Sequence, residues 1–338
     1  MYLKKFNLFL ISFSLIFTFF FWQVLDLTTV LTPNLDNHHS NLEKYYEKYH
    51  ALSLDEFLQS SSSIPNYFKT KLDIGYDLIC LVFKTFELKF ESFLFVSIFI
   101  TFVAYIKTFS KITSCKYFII YLLLYLLSSF WMSFTLGATL RQGIAITILF
   151  YFLFGKKKFS FKKDFLIIIL ASTVHLSAII FIPYLIFEKL FLNRLKLISI
   201  IFTFTSILYI FNLNFFISDF IFNLANFLDL DLRALKEYRT NHPITGFSVY
   251  KLLATVIPLI LFMIALSIGN YKTDNIHKRI YLYCIYPSII GLLLSQMSYY
   301  DRILLYSWTF SPFLIAYFFY RIYPTFVIQF NNFIKRSN

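Results

Sequence analysis

The chain contains few of the residues that interrupt helices or cross-link small domains. Of its 338 residues, 7 are glycine, 8 are proline and 3 are cysteine. The cysteines are far apart and lack metal-ligand spacing, so no disulfide framework is indicated. No segment shows the alternating pattern of an outer-membrane barrel. The sequence also lacks the phosphate-binding glycine loops, the zinc-protease helix motif and the hydrolase nucleophile elbow.

Apolar residues make up most of the chain. Hydrophobic residues account for 58% of the chain and aromatic residues for 22%, whereas charged residues account for 14%. A soluble protein of this length could not bury so much apolar surface, which indicates a membrane protein. Because hydrocarbon offers no partner to backbone polar groups, the spans must be helices. We predict an all-α, polytopic integral membrane protein whose residues 1–338 form a single membrane domain.

Hydrophobic runs of about 20 residues, the length of one crossing, mark the spans. The first run has no small-residue cleavage site after it, so we predict an anchor and not a signal peptide. Nine runs are present, and either interpretation of residues 164–230 given below adds a crossing, so we predict about ten transmembrane helices. The runs cover residues 6–25, 92–109, 117–136, 138–155, 164–187, 197–216, 248–268, 280–298 and 303–320.

The distribution of basic residues predicts the orientation, because cytoplasmic loops are rich in lysine and arginine. With the basic clusters inside, both termini lie in the cytoplasm of a bacterial inner membrane. Two loops then lie outside: residues 26–91, with an interfacial helix at 72–86, and residues 218–247. The net charge of +13 thus reflects topology. Nucleic-acid binding is not indicated, since the inner loops are short.

The region between residues 164 and 230 has two interpretations. In one, residues 164–187 form a broken, re-entrant hairpin, which the basic residues favour. In the other, this segment spans once, and residues 195–230 form two short spans that turn at Asn212-Leu213-Asn214. Both keep the termini on the same side of the membrane.

Arg141 is the only charge in the apolar run FTLGATLRQGIAITILFYFL, and Gln142 follows it. An arginine in a membrane segment costs from about 2.5 to more than 10 kcal/mol, so it indicates a functional site. The structural alternative is non-specific binding of a lipid phosphate.

Arg141 begins a span near the predicted outer face, and other polar residues fall near the same face. His175 interrupts an apolar run, and Asp301 and Arg302 follow Tyr300 in a short turn. The alternative for His175 is a packed histidine that is hydrogen-bonded to a carbonyl. The alternative for Arg302 is an arginine that snorkels at the interface or pairs with Asp301. The second outer loop adds Tyr238 and Arg239.

Converging arginines suit a diphosphate, because their planar forks bind phosphate oxygens in pairs. Nearby aromatic rings and carboxylates suit sugars. No metal is predicted, since adjacent His38 and His39 in a loop are weak evidence for one. The inner acidic residues Asp164, Glu188 and Asp274 are too dispersed to hold one. No cofactor is predicted either.

Three short segments resemble motifs of a known family, in the same order. LRQGIA at residues 140–145 opens an apolar helix and is similar to the RQ-x-x-A helix of the EpsG family. HLSA at residues 175–178 resembles its H-x-S-A element. DIGY at residues 73–76 resembles its E-x-G-Y segment, with Asp73 in place of glutamate. The long outer loops match the family poorly, so the resemblance does not identify the glycan.

The resemblance implies a function, because the EpsG family is similar to Wzy-type polymerases of exopolysaccharides and O-antigens. We predict a glycosyltransferase that polymerises undecaprenyl-diphosphate-linked oligosaccharide repeat units into O-antigen, capsule or exopolysaccharide. Arg141, with Arg302 or Arg239, would stabilise the departing diphosphate. His175 or Asp301 would accept the hydroxyl proton. The predicted substrate-binding residues are Gln142, Tyr238, Arg239, Asp73, Tyr76 and Tyr300.

The predicted partners are the lipid-linked oligosaccharide, membrane lipid and a chain-length regulator. Two other functions stay open. A flippase for the same lipid would place charges through the midplane or show inverted repeats, and the charges lie at one face instead. A membrane O-acyltransferase that modifies the glycan could use His175 with an acyl donor reached from inside. A non-catalytic scaffold would leave Arg141 unexplained.

Overall fold

The computed structural model of the chain describes residues 41–53, 57, 73–112, 139–154, 160–227, 246–268, 275–297, 300–319 and 321. All regular structure in these residues is helical, and no strand occurs among them. The all-α prediction is therefore confirmed for the described part of the chain. The predicted spans at 6–25 and 117–136 lie outside it.

The described helices belong to two compact units that divide between Ile182 and Pro183. The first unit holds α1 (Asn41–Ala51), α2 (Ile74–Thr85), α3 (Phe90–Ile112), α4 (Leu140–Phe154), α5 (Phe161–Val174) and a 3-10 helix (Leu176–Ile180). The second unit holds most of α6 (Phe181–Phe191), then α7 (Leu195–Ile210), α8 (Phe215–Phe227), α9 (Val249–Ile268), α10 (Asn275–Leu293), α11 (Tyr300–Trp308) and a helical stretch at 311–319.

Among the described helices, one is long and apolar enough to cross a membrane by itself. It is Val249–Ser267 within α9, a segment of 19 residues. Its exposed side chains include Leu253, Ile257, Ile260 and Ile264, which follow a helical spacing and form an apolar stripe. Three shorter helical segments, Phe90–Tyr105, Leu140–Phe154 and Leu195–Ile210, are also apolar. These features fit a membrane protein, and the total of about ten crossings stays a prediction.

In the first unit, α4 packs against α3, α5 and the 3-10 helix. The rings of Tyr105 and Phe150 stack with their centroids 4.8 Å apart. The hydroxyl of Thr147 donates a hydrogen bond to that of Thr101 over 3.2 Å. Such hydroxyl pairs join helices in apolar surroundings, where no water competes for them. The packing fixes the start of α4, where Arg141 lies.

In the second unit, α10 is the central helix. It contacts α7, α9 and α11, and most of its side chains are buried. Polar pairs reinforce the packing of this unit. The hydroxyls of Ser199 on α7 and Tyr281 on α10 lie 2.8 Å apart. The indole Nε1 of Trp308 on α11 donates to the hydroxyl of Thr255 on α9 over 2.8 Å.

Each interpretation of residues 164–230 includes one feature that is present, a helix break in the first and a turn in the second. The helix breaks after Val174, where His175 is extended with φ −151° and ψ 118°, and α6 begins only at Phe181. The turn between α7 and α8 is also present. There Asn212 adopts a left-handed φ of 58°, and the N–H of Leu213 donates to the carbonyl of Leu208 over 2.8 Å. This pattern is a Schellman cap, and asparagine tolerates its left-handed position.

The predicted outer loop at residues 26–91 contains a helix besides the one predicted at 72–86. α1 covers Asn41–Ala51. Tyr49 is buried, and so is Leu52, which lies just beyond the helix end. Tyr46, Glu47 and His50 are exposed. The helix therefore has one buried face, which packs against α3. The predicted interfacial helix at 72–86 corresponds to α2.

Candidate functional site

Arg141 is the second residue of α4 and is bound by a carboxylate that lies just before α2. Its Nη1 donates to Oδ2 of Asp73, the residue that precedes α2. The Arg141 side chain is 32% exposed and the Asp73 side chain 14% exposed. The ion pair therefore lies at the edge of the packed unit, where the guanidinium is fixed and still partly accessible.

Two aromatic rings surround the same guanidinium. Its central carbon lies 5.4 Å from the ring centre of Tyr45 on α1 and 5.9 Å from that of Tyr76 on α2. These distances are in the range of cation–π attraction. The Nε of Arg141 is shielded from solvent and has no hydrogen-bond partner within the described residues. The arginine thus has a defined orientation, and its Nε is a donor that the described residues do not use.

Tyr76 forms part of the buried base of this site. Its side chain is almost fully buried, and its ring also contacts Phe93 on α3, with centroids 5.9 Å apart. Burial, followed by the neighbouring Cys80, raises the pKa of the Tyr76 phenol well above its ordinary value. The hydroxyl therefore stays protonated at neutral pH. Tyr76 can support a cation with its ring but does not supply a charge.

Gly75 brings α2 close to the end of α5. A Cβ at this position would lie 3.0 Å from the backbone carbonyl carbon of Thr173 and 3.1 Å from its Cβ, and closer still to its hydroxyl. Only glycine permits this approach. Thr173 lies two residues before His175. The DIGY segment therefore contacts the arginine helix through Asp73 and Tyr76, and the helix that ends at the histidine through Gly75.

His175 occupies the break between α5 and the 3-10 helix. Its backbone N–H donates to the carbonyl of Ala171, and its carbonyl accepts from the N–H of Ala178, both over 3.0 Å. The side chain is half-buried. The 3-10 helix that follows packs against α4, which carries Arg141. The first unit thus brings together all three segments that resemble the family motifs.

Gln142 is placed differently from its neighbour. It is fully buried, whereas Arg141 keeps a third of its side chain exposed. A direct role in binding substrate stays a prediction for Gln142.

The predicted site residues of the second unit lie at the start of α11. The Tyr300 hydroxyl donates to the carbonyl of Gly246 over 3.1 Å and lies 3.3 Å from the hydroxyl of Tyr209. The Tyr209 hydroxyl accepts from the N–H of Ser248 over 2.8 Å. Gly246 has a φ of 91°, a conformation that favours glycine. These contacts fix the residues just before α9.

Asp301 and Arg302 are both partly exposed, next to this anchored point. The Asp301 carboxylate accepts the backbone N–H of Arg302 over 3.0 Å. The ammonium of Lys251 on α9 lies 4.3 Å from the ring centre of Tyr300. Lys251 was not among the predicted residues. Tyr238 and Arg239 lie outside the described residues.

Sequence reasoning also missed two residues of the first unit. Tyr45 contacts Arg141, and Lys48 pairs with Asp77 on α2. The signal was available in the sequence, because Tyr45, Tyr49 and Leu52 recur at helical spacing. Within the described part of the chain, no group of three or more side chains could hold a metal ion.

A family model described as the EpsG family matches residues 43–332. A comparison with curated proteins finds no match, and a comparison with solved structures finds none either. The matched range covers most of the chain and includes all three segments that the first unit brings together. The chain therefore belongs to the EpsG family.

Proposed function

We propose that this protein is a membrane glycosyltransferase that polymerises undecaprenyl-diphosphate-linked oligosaccharide repeat units into surface polysaccharide. Its family is associated with polysaccharide biosynthesis, which supports the general class. The observation that carries the specific proposal is the environment of Arg141. A partly exposed guanidinium at the start of an apolar helix is fixed by Asp73 and two aromatic rings.

This environment suits a diphosphate that gains charge during reaction. The planar guanidinium can donate two parallel hydrogen bonds to phosphate oxygens. Asp73 holds one edge of the group, so Arg141 does not need to reorient when the substrate binds. Preorganised donors in a water-poor site stabilise developing charge strongly. We assign Arg141 to the diphosphate of the donor chain.

The reaction transfers the growing glycan from one lipid carrier to another. A hydroxyl oxygen of the incoming repeat unit bonds to the anomeric carbon of the donor chain. The bond between that carbon and the diphosphate oxygen breaks, and undecaprenyl diphosphate leaves with the bonding electrons. The hydroxyl proton passes to a base. No oxidant, nucleotide or acyl donor is needed for this exchange.

His175 is our choice for the base, with Asp301 as the alternative. His175 belongs to the same unit as Arg141, and its helix end contacts α2 two residues earlier, at Thr173. A histidine titrates near neutral pH, which suits reversible proton transfer.

We place the site at the outer face of a bacterial inner membrane, with both termini in the cytoplasm. The distribution of basic residues supports this orientation. The growing polymer would then be made on the side from which it is exported. Besides the lipid-linked oligosaccharide, the proposed partner is a chain-length regulator.

The test is reconstitution in detergent with lipid-diphosphate-linked repeat units as the sole substrate. We expect a ladder of longer lipid-linked saccharides without nucleotide sugar, ATP or acyl donor, and insensitivity to EDTA. His175→Gln, which keeps a hydrogen-bonding side chain, should fold and lose most of this activity. Activity retained in His175→Gln would move the base role to Asp301.

Cells that lack the protein provide the second arm of the test. They should accumulate lipid carrying a single repeat unit on the outer leaflet. Accumulation on the inner leaflet would indicate a flippase, and a requirement for an acyl donor would indicate an acyltransferase. Either result would refute the polymerase proposal.

A further inference from the structure

Lys48 on α1 is a second cation near the Tyr76 ring that Arg141 contacts. Its Nζ lies 2.5 Å from Oδ1 of Asp77 on α2. The same ammonium lies 5.5 Å from the ring centre of Tyr76, and Arg141 lies 5.9 Å from that centre. Two cations from different helices therefore share one buried aromatic ring.

The two cations are held in the same way. Each pairs with a carboxylate from the first turn of α2 or the residue before it, and each carboxylate is more buried than its cation. Lys48 is 34% exposed and Asp77 only 1%, while Arg141 is 32% exposed and Asp73 14%. The carboxylates anchor the cations from the protein side, which leaves part of each cation open.

α1 does not depend on Lys48 for its attachment. The Tyr49 hydroxyl donates to the carbonyl of Leu88 over 2.6 Å, and its ring stacks on Phe93 with centroids 5.6 Å apart. Lys84 donates to the carbonyl of His50 over 3.0 Å and to that of Leu52. These contacts hold the helix by its backbone and its aromatic face. Lys48 is therefore available for a role besides docking.

Each cation carries more hydrogen-bond donors than the one that faces its carboxylate. An ammonium has three N–H donors and a guanidinium has five. Asp77 is the carboxylate partner of Lys48, and Asp73 takes Nη1 of Arg141. Paired charges give no strong net field, but the remaining N–H donors of Lys48 and Arg141 can form hydrogen bonds with the oxygens of an anion. Two cations that lie near one ring suit an anion with two phosphate groups.

We propose that Lys48 and Arg141 together form the binding site for the diphosphate of the lipid-linked saccharide, one cation for each phosphate. The inference rests on the proposed function and adds a residue and a substrate preference to it. Because Lys48 comes from α1, the first outer loop becomes part of the binding site. The site should prefer a diphosphate to a monophosphate and to bulk phospholipid.

The test must separate the ammonium from the ion pair, since a lysine variant alone would leave Asp77 buried without its partner. We would compare Asp77→Asn with the double variant Lys48→Met/Asp77→Asn. The two differ only at residue 48, and neither contains an unpaired buried carboxylate there. Lys89→Ala is the control, because Lys89 is exposed at the start of α3.

The measurement is the dissociation constant of three lipids in detergent, obtained by native mass spectrometry. The probes are undecaprenyl diphosphate, undecaprenyl monophosphate and phosphatidylglycerol. We expect the double variant to bind the diphosphate about ten-fold more weakly than Asp77→Asn, the loss of one hydrogen bond to a charged group. Monophosphate binding should change little, and Lys89→Ala should match the wild type.

Several outcomes would overturn the inference. Equal diphosphate affinity in the two Asp77→Asn proteins would remove Lys48 from the site. Equal losses for monophosphate and diphosphate would indicate general charge attraction. An equal loss for phosphatidylglycerol would indicate a bulk-lipid contact. If Lys48-dependent diphosphate binding occurred in a protein that makes no polymer, the proposed function would fail and this inference would stand.

Discussion

The described residues of each compact unit include an arginine–carboxylate pair, and these two pairs differ in exposure. In the first unit, Arg141 and Asp73 are 32% and 14% exposed. In the second, Nε of Arg279 lies 2.5 Å from Oε1 of Glu188, and the two side chains are 7% and 3% exposed. The first of these pairs thus lies at an edge and the second in a core.

The difference indicates different uses of the charge. The buried pair joins α6 to α10 inside the second unit, and the Tyr184 hydroxyl donates to the carbonyl of Arg279 over 3.3 Å. Its donors point into protein, so its effect is on packing and on the register of the helices. The edge pair fixes a guanidinium that a ligand can still reach. We infer that the first pair serves the substrate and the second serves the fold.

Breaking the buried pair should give the largest effect. Arg279→Met leaves the Glu188 carboxylate buried without its cation, which costs roughly 3–5 kcal/mol. We expect a large fall in Tm in detergent and poor recovery of folded protein. Thermal unfolding followed by circular dichroism measures it.

The matched control removes both charges. Arg279→Met/Glu188→Leu replaces the pair with apolar side chains of similar size, a change that is often neutral or stabilising. We expect its Tm to return near that of the wild type and polymer to be made. A double variant that folds well but makes no polymer would contradict the purely structural role of this pair.

Changing the edge pair should leave the fold intact and remove activity. Arg141→Lys keeps a positive charge near Asp73 but loses the planar fork. We expect the yield of long polymer to fall about 100-fold, equivalent to roughly 2.7 kcal/mol in the transition state. Polymer length on gels and initial rates with lipid-linked substrate measure this loss.

The comparison requires that Tm of Arg141→Lys stays close to that of the wild type. Arg141→Ala should be equally inactive, because both variants lose paired hydrogen bonds to the diphosphate. If Arg141→Lys made polymer of normal length, the charge alone would suffice and the diphosphate role of the guanidinium would be wrong. If it lowered Tm as strongly as Arg279→Met, the two pairs would serve the same purpose.

The sequence predicted the edge site better than the buried pair. Arg141 was conspicuous as a lone charge in an apolar run, and the resemblance added Asp73 and Tyr76, which the structure places around it. Arg279 follows Lys278 in a basic stretch, and Glu188 is one of the dispersed acidic residues, so neither is conspicuous. Their pairing depends on a contact between residues 91 positions apart, which composition and spacing do not reveal.

The predicted first outer loop shows what hydropathy alone does not reveal. The segment around Tyr45 and Lys48 is strongly polar, so hydropathy assigned it to a loop, although it forms α1. Its buried face is aromatic and faces the protein, and only the periodic spacing of Tyr45, Tyr49 and Leu52 indicated a helix. A search for helical periodicity in the outer loops would have found it. Hydropathy alone could not.

Two glycines, one in each unit, give the finest test of this comparison. A Cβ on Gly75 would meet backbone of Thr173 at 3.0 Å, whereas a Cβ on Gly291 would meet mainly the flexible end of Leu304. Backbone cannot yield as a leucine methyl can. Gly75→Ala should therefore push α2 away from α5 and shift Asp73 relative to Arg141, at a cost of about 1–3 kcal/mol.

We expect Gly75→Ala to lower the initial rate of polymerisation by about ten-fold, or roughly 1.4 kcal/mol. Gly291→Ala should have a smaller effect, confined to Tm, because Gly291 lies on α10 and contacts no predicted site residue through its Cβ position. The rate, corrected for folded protein, separates the two variants. Equal losses of rate would mean that close packing in either unit limits turnover, and the first unit would lose its special relation to the substrate.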